Sequence, residues 1–141
     1  MILIVGYGNL TRQDDGLGVR LAEALEQENL PNIEVRTSQQ MHLELLEDLG
    51  AFDRILLADA TAMDAPLEIC QVTEDSGSTM PSSHALNPST LLKLSQKLYG
   101  QKLSLFMLAI PGQHFDFGME LSPMAQRNLE DALSLTKSWL K

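Results

Sequence analysis

The sequence predicts an α/β fold, a single domain with a twisted, mostly parallel sheet of about five strands and helices on both faces. Two observations carry this prediction. Short apolar segments typical of strands buried on both faces alternate with segments whose apolar residues recur at helical spacing. Such alternation implies right-handed crossovers between parallel strands. The length of 141 residues, 44% of them hydrophobic, suits one domain spanning 1–141 with one core.

The first half of the chain contains three of these strands. The run MILIVGYG at the N-terminus is the first strand, and leucines at helical spacing from Leu17 to Leu25 predict the helix that follows. The segment IEVRTS is the second strand and RILLADA is the third. Between them, a short helix ending at Gly50 is predicted from three apolar residues, Met41, Leu45 and Leu49.

The second half supplies the remaining elements. The segment LEICQVTE alternates apolar and polar residues, which predicts a half-exposed, antiparallel edge strand. Residues 74–86 are a long polar stretch, after which Asn87 and Pro88 form a cap and first-turn pair for a helix. KLSLFMLAIPG is the last strand, and Ser122 with Pro123 repeats the cap signal for a final helix.

Composition excludes several classes of function. A formal net charge of -9 argues against a nucleic-acid partner, because phosphates would repel this surface. No apolar run approaches the ~20 residues of a membrane span, and the N-terminus lacks the pattern of a secretion signal. The single cysteine, Cys70, excludes an internal disulfide and fits a reducing compartment. We therefore expect a cytoplasmic protein that binds neither nucleic acid nor membrane.

Four polar residues lie where a parallel sheet of this kind binds its ligands, beyond the carboxyl ends of the strands. Asp14 and Asp15 follow the first strand, Asp59 closes the third strand, and His84 lies in the polar stretch. Two carboxylates and an imidazole in one crevice would form a three-ligand metal site with open positions, suited to zinc or nickel. The spacing alone is a weak signal, so the simpler interpretations stay open.

Each of these residues also has a structural interpretation. Asp14 is favoured as a helix N-cap, since aspartate is a preferred capping residue. Asp59 is as readily a turn residue after its strand, and His84 taken alone is more often a loop histidine. Two glycines in the first helical turn, Gly16 and Gly18, are disfavoured in a helix. They suggest that something approaches the backbone closely, and we expect them to clear room for a substrate chain.

Other chemistries have weaker support. A dinucleotide fingerprint beginning at Gly6 and Gly8 would need a third glycine where Thr11 stands, although a nucleotide held through a Mg²⁺ ion on the aspartates stays an alternative. A serine hydrolase would need a Gly-x-Ser-x-Gly elbow, which the sequence lacks. Cys70 is interpreted as a small hydrophobe in its strand, and His114 as a surface residue.

The segment ILIVGYGNLTRQDDGLGVRLAEAL resembles the opening of the nickel–iron hydrogenase maturation endopeptidases, in which an apolar strand leads to Gly-x-Gly-Asn and then Asp-(Asp/Glu)-Gly-x-Gly. The resemblance continues through LLADA and AIPGQHFDFGMELSP, so it covers nearly the whole chain. It implies that Asp15, Asp59 and His84 contact nickel. Many members carry Glu where this chain has Asp15, which shortens the reach of that carboxylate by one methylene.

The residues after the second strand imply a subgroup. Many relatives carry Asp-Gly-Gly-Thr there, whereas this chain reads Gln39-Gln40-Met41, which is similar to the His-Gln-Leu of proteases that serve bidirectional, NAD(P)-reducing hydrogenases. By this resemblance Gln39 and Gln40 are candidate substrate-binding residues.

The resemblance also implies an activity and a partner. The chain would be an aspartic-type endopeptidase that cuts the C-terminal extension from a hydrogenase large-subunit precursor after nickel insertion. The nickel would belong to the substrate, so the enzyme would have no permanent cofactor, and Asp14 and Asp15 are candidates for the catalytic base on position alone. A non-catalytic domain or chaperone that grips a metal-loaded partner is the alternative from a different class.

Overall fold

The structure, a computed structural model, describes residues 1–39, 48–74 and 88–141. Within these residues the chain forms five strands, three α-helices and, after the first strand, a short 3-10 turn. The strands are β1 (Ile2–Tyr7), β2 (Ile33–Ser38), β3 (Arg54–Thr61), β4 (Ile69–Gln71) and β5 (Leu105–Pro111). The helices are α1 (Leu17–Gln27), α2 (Pro88–Tyr99) and α3 (Pro123–Leu140), and the 3-10 turn is Gln13–Gly16. The predicted α/β fold is confirmed.

The strands form one sheet in the order β2-β1-β3-β5-β4. The first four strands in this order are parallel, and β4 pairs antiparallel with β5 at the edge, as its alternating sequence predicts. From β1 the chain passes first to β2 on one side and then to β3 on the other. The boundary between β1 and β3 is therefore the topological switch point, where open sheets of this kind bind ligands.

Helices cover both faces of the sheet, as predicted. On one face, Leu91 of α2 packs in a cluster with Val5 of β1 and Leu57 of β3. On the other face, Leu21 of α1 and Ala132 of α3 belong to a second cluster with the remaining strand residues. The central strands β1, β3 and β5 are thus covered on both faces, which explains their mostly apolar sequences.

Local sequence signals account for the ends of two helices. Ser122 precedes α3, and its Oγ accepts a hydrogen bond from the Ala125 N–H at 3.1 Å, so the predicted cap is confirmed. The helix α2 is followed by Gly100 at a φ of 63°, a left-handed conformation that glycine adopts readily. The predicted cap Asn87 and most of the predicted helix before Gly50 lie outside the described residues.

Two further observations concern the surface. Cys70 is predicted to be a small hydrophobe within its strand, and it does lie on the short edge strand β4, but its side chain is exposed and is not part of the core. In the part of the chain that the structure describes, no helix is both long and apolar enough to cross a bilayer.

Candidate functional site at the switch point

The turn Gln13–Gly16 brings Asp14 and Asp15 to the switch point. It follows β1 and lies against β3. Asp15 belongs to this turn, and Asp59 lies near the carboxyl end of β3, so both occupy the same edge of the sheet. His84, the third predicted metal ligand, lies outside the described residues. Among those that are described, no group of three metal-ligating side chains is found.

The loop before the turn holds the Asp15 side chain. The Asp15 Oδ2 accepts a hydrogen bond from the Asn9 N–H at 3.0 Å. The Asn9 side chain in turn accepts bonds from the Thr11 N–H at 2.9 Å and from the Thr11 hydroxyl at 2.6 Å. This side-chain-to-backbone pattern fixes a tight turn. The half-buried Asp15 carboxylate is therefore positioned by the Gly-Asn-Leu-Thr segment itself.

The glycines here make room for the chain's own backbone. Gly8 has a φ of 141°, and a Cβ on it would lie 1.9 Å from the Asp15 carbonyl oxygen. A Cβ on Gly18 would lie 2.5 Å from the Tyr7 carbonyl oxygen, and one on Gly16 would lie 3.1 Å from the Leu10 Cα. The expectation that Gly16 and Gly18 clear room for a substrate is wrong, because strand and loop backbone fills that space.

Asp59 is a buried carboxylate on a central strand. It is 1% exposed, and its Oδ1 accepts a hydrogen bond from the Ala60 N–H at 2.8 Å. The last registered pair of β1 and β3 is Gly6 with Ala58, so Tyr7 and Asp59 come next on these neighbouring strands. Burial and the Asp59 charge raise the pKa of Tyr7, which keeps the phenol neutral. Among the described residues the Tyr7 hydroxyl has no hydrogen-bond partner.

The Asp14 carboxylate is fully buried and holds the segment after β5. Its Oδ2 accepts bonds from the Gln113 N–H at 2.7 Å, the His114 N–H at 2.9 Å and the Ser122 hydroxyl at 2.6 Å. Its Oδ1 accepts a bond from the Ser122 N–H at 2.8 Å. Burial acts to raise the pKa of Asp14, but hydrogen bonds from His114, Ser122 and Gln113 outweigh it and lower the pKa below its usual value.

The predicted capping role of Asp14 is wrong. Arg12 precedes the 3-10 turn and Gly16 precedes α1, and neither makes a side-chain capping bond. Asp14 instead supports the cap of a different helix, because Ser122 donates to Asp14 and accepts from Ala125. No local sequence pattern indicates this pairing of Asp14 with Ser122, since 108 residues separate the two partners.

Residues 112–121, hereafter the 112–121 loop, are bound to the turn along their length. The Gln13 N–H donates to the Gly118 carbonyl at 2.8 Å, and the Asp14 N–H donates to the His114 carbonyl at 2.9 Å. The Gly118 N–H donates to the Thr11 carbonyl at 2.8 Å. His114 is exposed on this loop, as predicted.

Gln39 lines a cleft at the carboxyl ends of β1 and β2. The cleft has a volume of about 270 Å³ and is also lined by Gly8, Asn9 and Thr11, the residues that lead to the turn. Gln40 lies outside the described residues. A larger cavity of about 640 Å³ includes Met1, Ile2 and Asn32 at the amino ends of the strands. It contains none of the predicted site residues, so we place the candidate site at the carboxyl edge.

Comparison with known proteins agrees with this architecture. No family model matches the chain. The Hydrogenase 2 maturation protease of Escherichia coli (strain K12) is 41% identical over 61 residues, a match that spans 42% of this chain and 37% of that relative. The hydrogenase expression/formation protein HupD of Thiocapsa roseopersicina is 25% identical over 99% of this chain and 67% of its own length. The solved structure of the hydrogenase maturating endopeptidase HybD from E. coli has a TM-score of 0.81 at 24% identity and covers 99% of this chain and 91% of that one.

Proposed function

We propose, from the premise that this chain belongs to the nickel–iron hydrogenase maturation protease family, that it is an aspartic-type endopeptidase for a hydrogenase large-subunit precursor. It removes the C-terminal extension of that precursor after nickel has been inserted. The observation that carries this proposal is the placement of Asp15 and Asp59 at the switch point of a fold shared with such proteases.

The nickel in this proposal is part of the substrate. Carboxylate oxygens and an imidazole nitrogen are suitable ligands for a divalent first-row metal. Asp15, Asp59 and His84 contact the nickel that the precursor holds, and this set is small enough to leave coordination positions to the precursor's own ligands. Because these ligands bind the ion, only a precursor that already holds nickel binds at the site. The same contact places the adjoining peptide beside the carboxylates.

Hydrolysis of the peptide bond needs a water nucleophile, a base for its proton and stabilisation of the developing oxyanion. We assign the base to Asp15 rather than Asp14. The Asp14 carboxylate already accepts four hydrogen bonds, from the N–H groups of Gln113, His114 and Ser122 and from the Ser122 hydroxyl, so protein donors occupy the positions that a reacting water would need. Asp15 lies on the same turn and is half-buried, whereas Asp14 is buried.

The extension of the precursor runs through the cleft beside Gln39. Main-chain amides of an extended peptide pair well with side-chain amides, so Gln39 and Gln40 supply hydrogen bonds that orient the peptide. The subgroup that serves bidirectional, NAD(P)-reducing hydrogenases stays a prediction from these two residues. We place the reaction in the cytoplasm, because the lone and exposed Cys70 fits a reducing compartment.

Incubation with nickel-loaded and nickel-free precursor tests this function, with the mass of the precursor as the readout. We expect the loaded form alone to lose its extension. Equal cleavage of both forms would show that the enzyme does not recognise the nickel. An unchanged mass despite stable association would identify a non-catalytic chaperone instead.

Substitution of the proposed ligands tests the site itself. We expect His84→Ala and Asp15→Asn each to abolish processing while thermal unfolding stays close to that of the unmodified chain, because the asparagine keeps an oxygen that can accept from the Asn9 N–H. Asp131→Asn is the matched control for Asp15→Asn, because Asp131 is an exposed aspartate on α3, outside the turn and the 112–121 loop. Full processing by either ligand variant would overturn the assignment, and severe unfolding of His84→Ala would show that this histidine has a structural role.

A further inference from the structure

The 112–121 loop exposes apolar side chains beside the candidate site. Phe117 is 84% exposed and Met119 is 57% exposed. The Arg12 guanidinium carbon lies 5.3 Å from the centroid of the Phe117 ring, within the range of a cation–π contact. Large apolar side chains clustered at one place on a surface mark interaction sites more often than scattered ones do.

The loop holds these side chains in a fixed place. Its backbone is bound to the turn through Gln13 and Gly118, and the Arg12 Nη2 donates to the Phe115 carbonyl at 3.2 Å. The Arg20 guanidinium donates to the Met119 carbonyl. The backbone is therefore bound on both sides of Phe117, and little backbone entropy remains to be lost when a partner covers the loop.

The exposed surface is continuous with the turn that carries Asp15. Asp14, the neighbour of Asp15, is hydrogen-bonded to Gln113 and His114 at the start of the loop. When the C-terminal segment of a folded protein reaches Asp15, the body of that protein therefore lies next to the 112–121 loop, which carries Phe117 and Met119. A short extended peptide would fill the cleft beside Gln39 without covering this surface.

We propose that Phe117, Met119 and Arg12 form a docking surface for the folded body of the large-subunit precursor, separate from the contacts to its extension. This inference rests on the proposed function. The contacting face of the precursor carries apolar side chains for Phe117 and Met119, and a carboxylate or carbonyl oxygen that accepts from Arg12. An acceptor is required because Arg12 keeps guanidinium donors on the exposed side of the loop.

The double variant Phe117→Ser/Met119→Ser tests the docking surface. The matched control is Leu98→Ser/Tyr99→Ser, which removes two other exposed apolar side chains, 60% and 46% exposed, at the carboxyl end of α2. Processing rates of nickel-loaded precursor give KM and kcat for each protein, calorimetry gives the affinity for the precursor, and thermal unfolding confirms that both variants fold.

We expect the KM and the dissociation constant of the Phe117→Ser/Met119→Ser variant to rise by about tenfold or more, with kcat within a factor of two. The control should match the unmodified protein. Unchanged affinity in the test variant, or an equal loss in the control, overturns the docking surface.

If the unmodified protein binds the precursor but does not cut it, the proposed function fails, and weaker binding by the test variant still supports the surface. If the unmodified protein is a dimer and the test variant is a monomer, the surface binds a second copy of this chain, and the proposal is overturned.

Discussion

The Asp14 carboxylate and Ser122 make two hydrogen bonds to each other across 108 residues of sequence. The Ser122 N–H donates to Oδ1 at 2.8 Å, and the Ser122 hydroxyl donates to Oδ2 at 2.6 Å. The same hydroxyl accepts the capping bond from the Ala125 N–H. One buried carboxylate therefore joins the turn after β1 to the first turn of α3, and the 112–121 loop is held between them.

Replacing Asp14 should destabilise the whole domain. In Asp14→Asn, one of the two carboxylate oxygens becomes an NH₂ group. This group faces the Ser122 N–H in one amide orientation and the N–H groups of Gln113 and His114 in the other, so at least one buried donor loses its acceptor. We expect a loss of roughly 2–4 kcal/mol in the free energy of unfolding, measured by urea denaturation at neutral pH.

Asp116→Asn is the matched control for Asp14→Asn, because it makes the same chemical change at an exposed position of the 112–121 loop. Its effect should stay within about 0.5 kcal/mol. Equal destabilisation by the two substitutions would show that loss of negative charge, and not loss of these hydrogen bonds, controls the stability.

The same carboxylate predicts how stability depends on pH. The pKa of Asp14 is lower in the folded chain than its usual value, so its contribution is fully present above the unfolded value, ~3.9, and is lost as the pH falls through the lower folded value. The difference in unfolding free energy between the unmodified chain and Asp14→Asn should therefore be constant from pH 7 to about 5. It should shrink as the pH falls below the unfolded value, and a difference that persists there would contradict the role of the ionised form.

Gly8 should tolerate no side chain. A Cβ at this position would lie 1.9 Å from the Asp15 carbonyl oxygen, and its φ of 141° disfavours any other residue. Gly8→Ala should therefore displace the turn and cost roughly 3 kcal/mol or more. Processing should fall with it, because Asp15 moves.

Gly100→Ala is the control for Gly8→Ala. Gly100 also has a positive φ, 63°, but a Cβ on it would meet no atom within 4 Å. It should cost only about 1 kcal/mol of backbone strain and leave processing unchanged. Comparable losses in the two variants would show that backbone conformation, and not the contact with Asp15, explains why Gly8 is required.

The sequence was sufficient to predict most of the fold. The bounds of β2 match the predicted segment, and the Ser122 cap begins α3 where the sequence places it. These elements depend on local signals, namely periodicity and capping chemistry, that act within a few residues. Asp15 and Asp59 were found because the carboxyl ends of neighbouring parallel strands meet at one edge.

The roles of Asp14 and of the 112–121 loop depend on contacts between distant parts of the chain. An aspartate at the start of a helix predicts a cap, and the sequence around Asp14 contains nothing that shows its bonds to Gln113 and Ser122 instead. The same limit applies to Gly18, whose close neighbours are carbonyl groups of β1 and β3. Tertiary packing determines the roles of these residues, and it outweighs the local preference for a cap.

Tyr7 provides a test of the polar environment beside Asp59. Its hydroxyl is buried and has no hydrogen-bond partner among the described residues, which is an unfavourable state for a polar group. Tyr7→Phe removes the hydroxyl and leaves the ring in its cluster with Val5 and Leu57. We expect the free energy of unfolding to stay the same or to rise by up to about 1–2 kcal/mol.

Thr136→Val is the matched control, because the Thr136 hydroxyl is buried and donates to the Ala132 carbonyl at 2.8 Å, so its loss should cost about 1 kcal/mol. If Tyr7→Phe is destabilised as much as Thr136→Val, the phenol donates a hydrogen bond in the folded chain. Asp59, which neighbours Tyr7 on the adjacent strand, would then be the first acceptor to test.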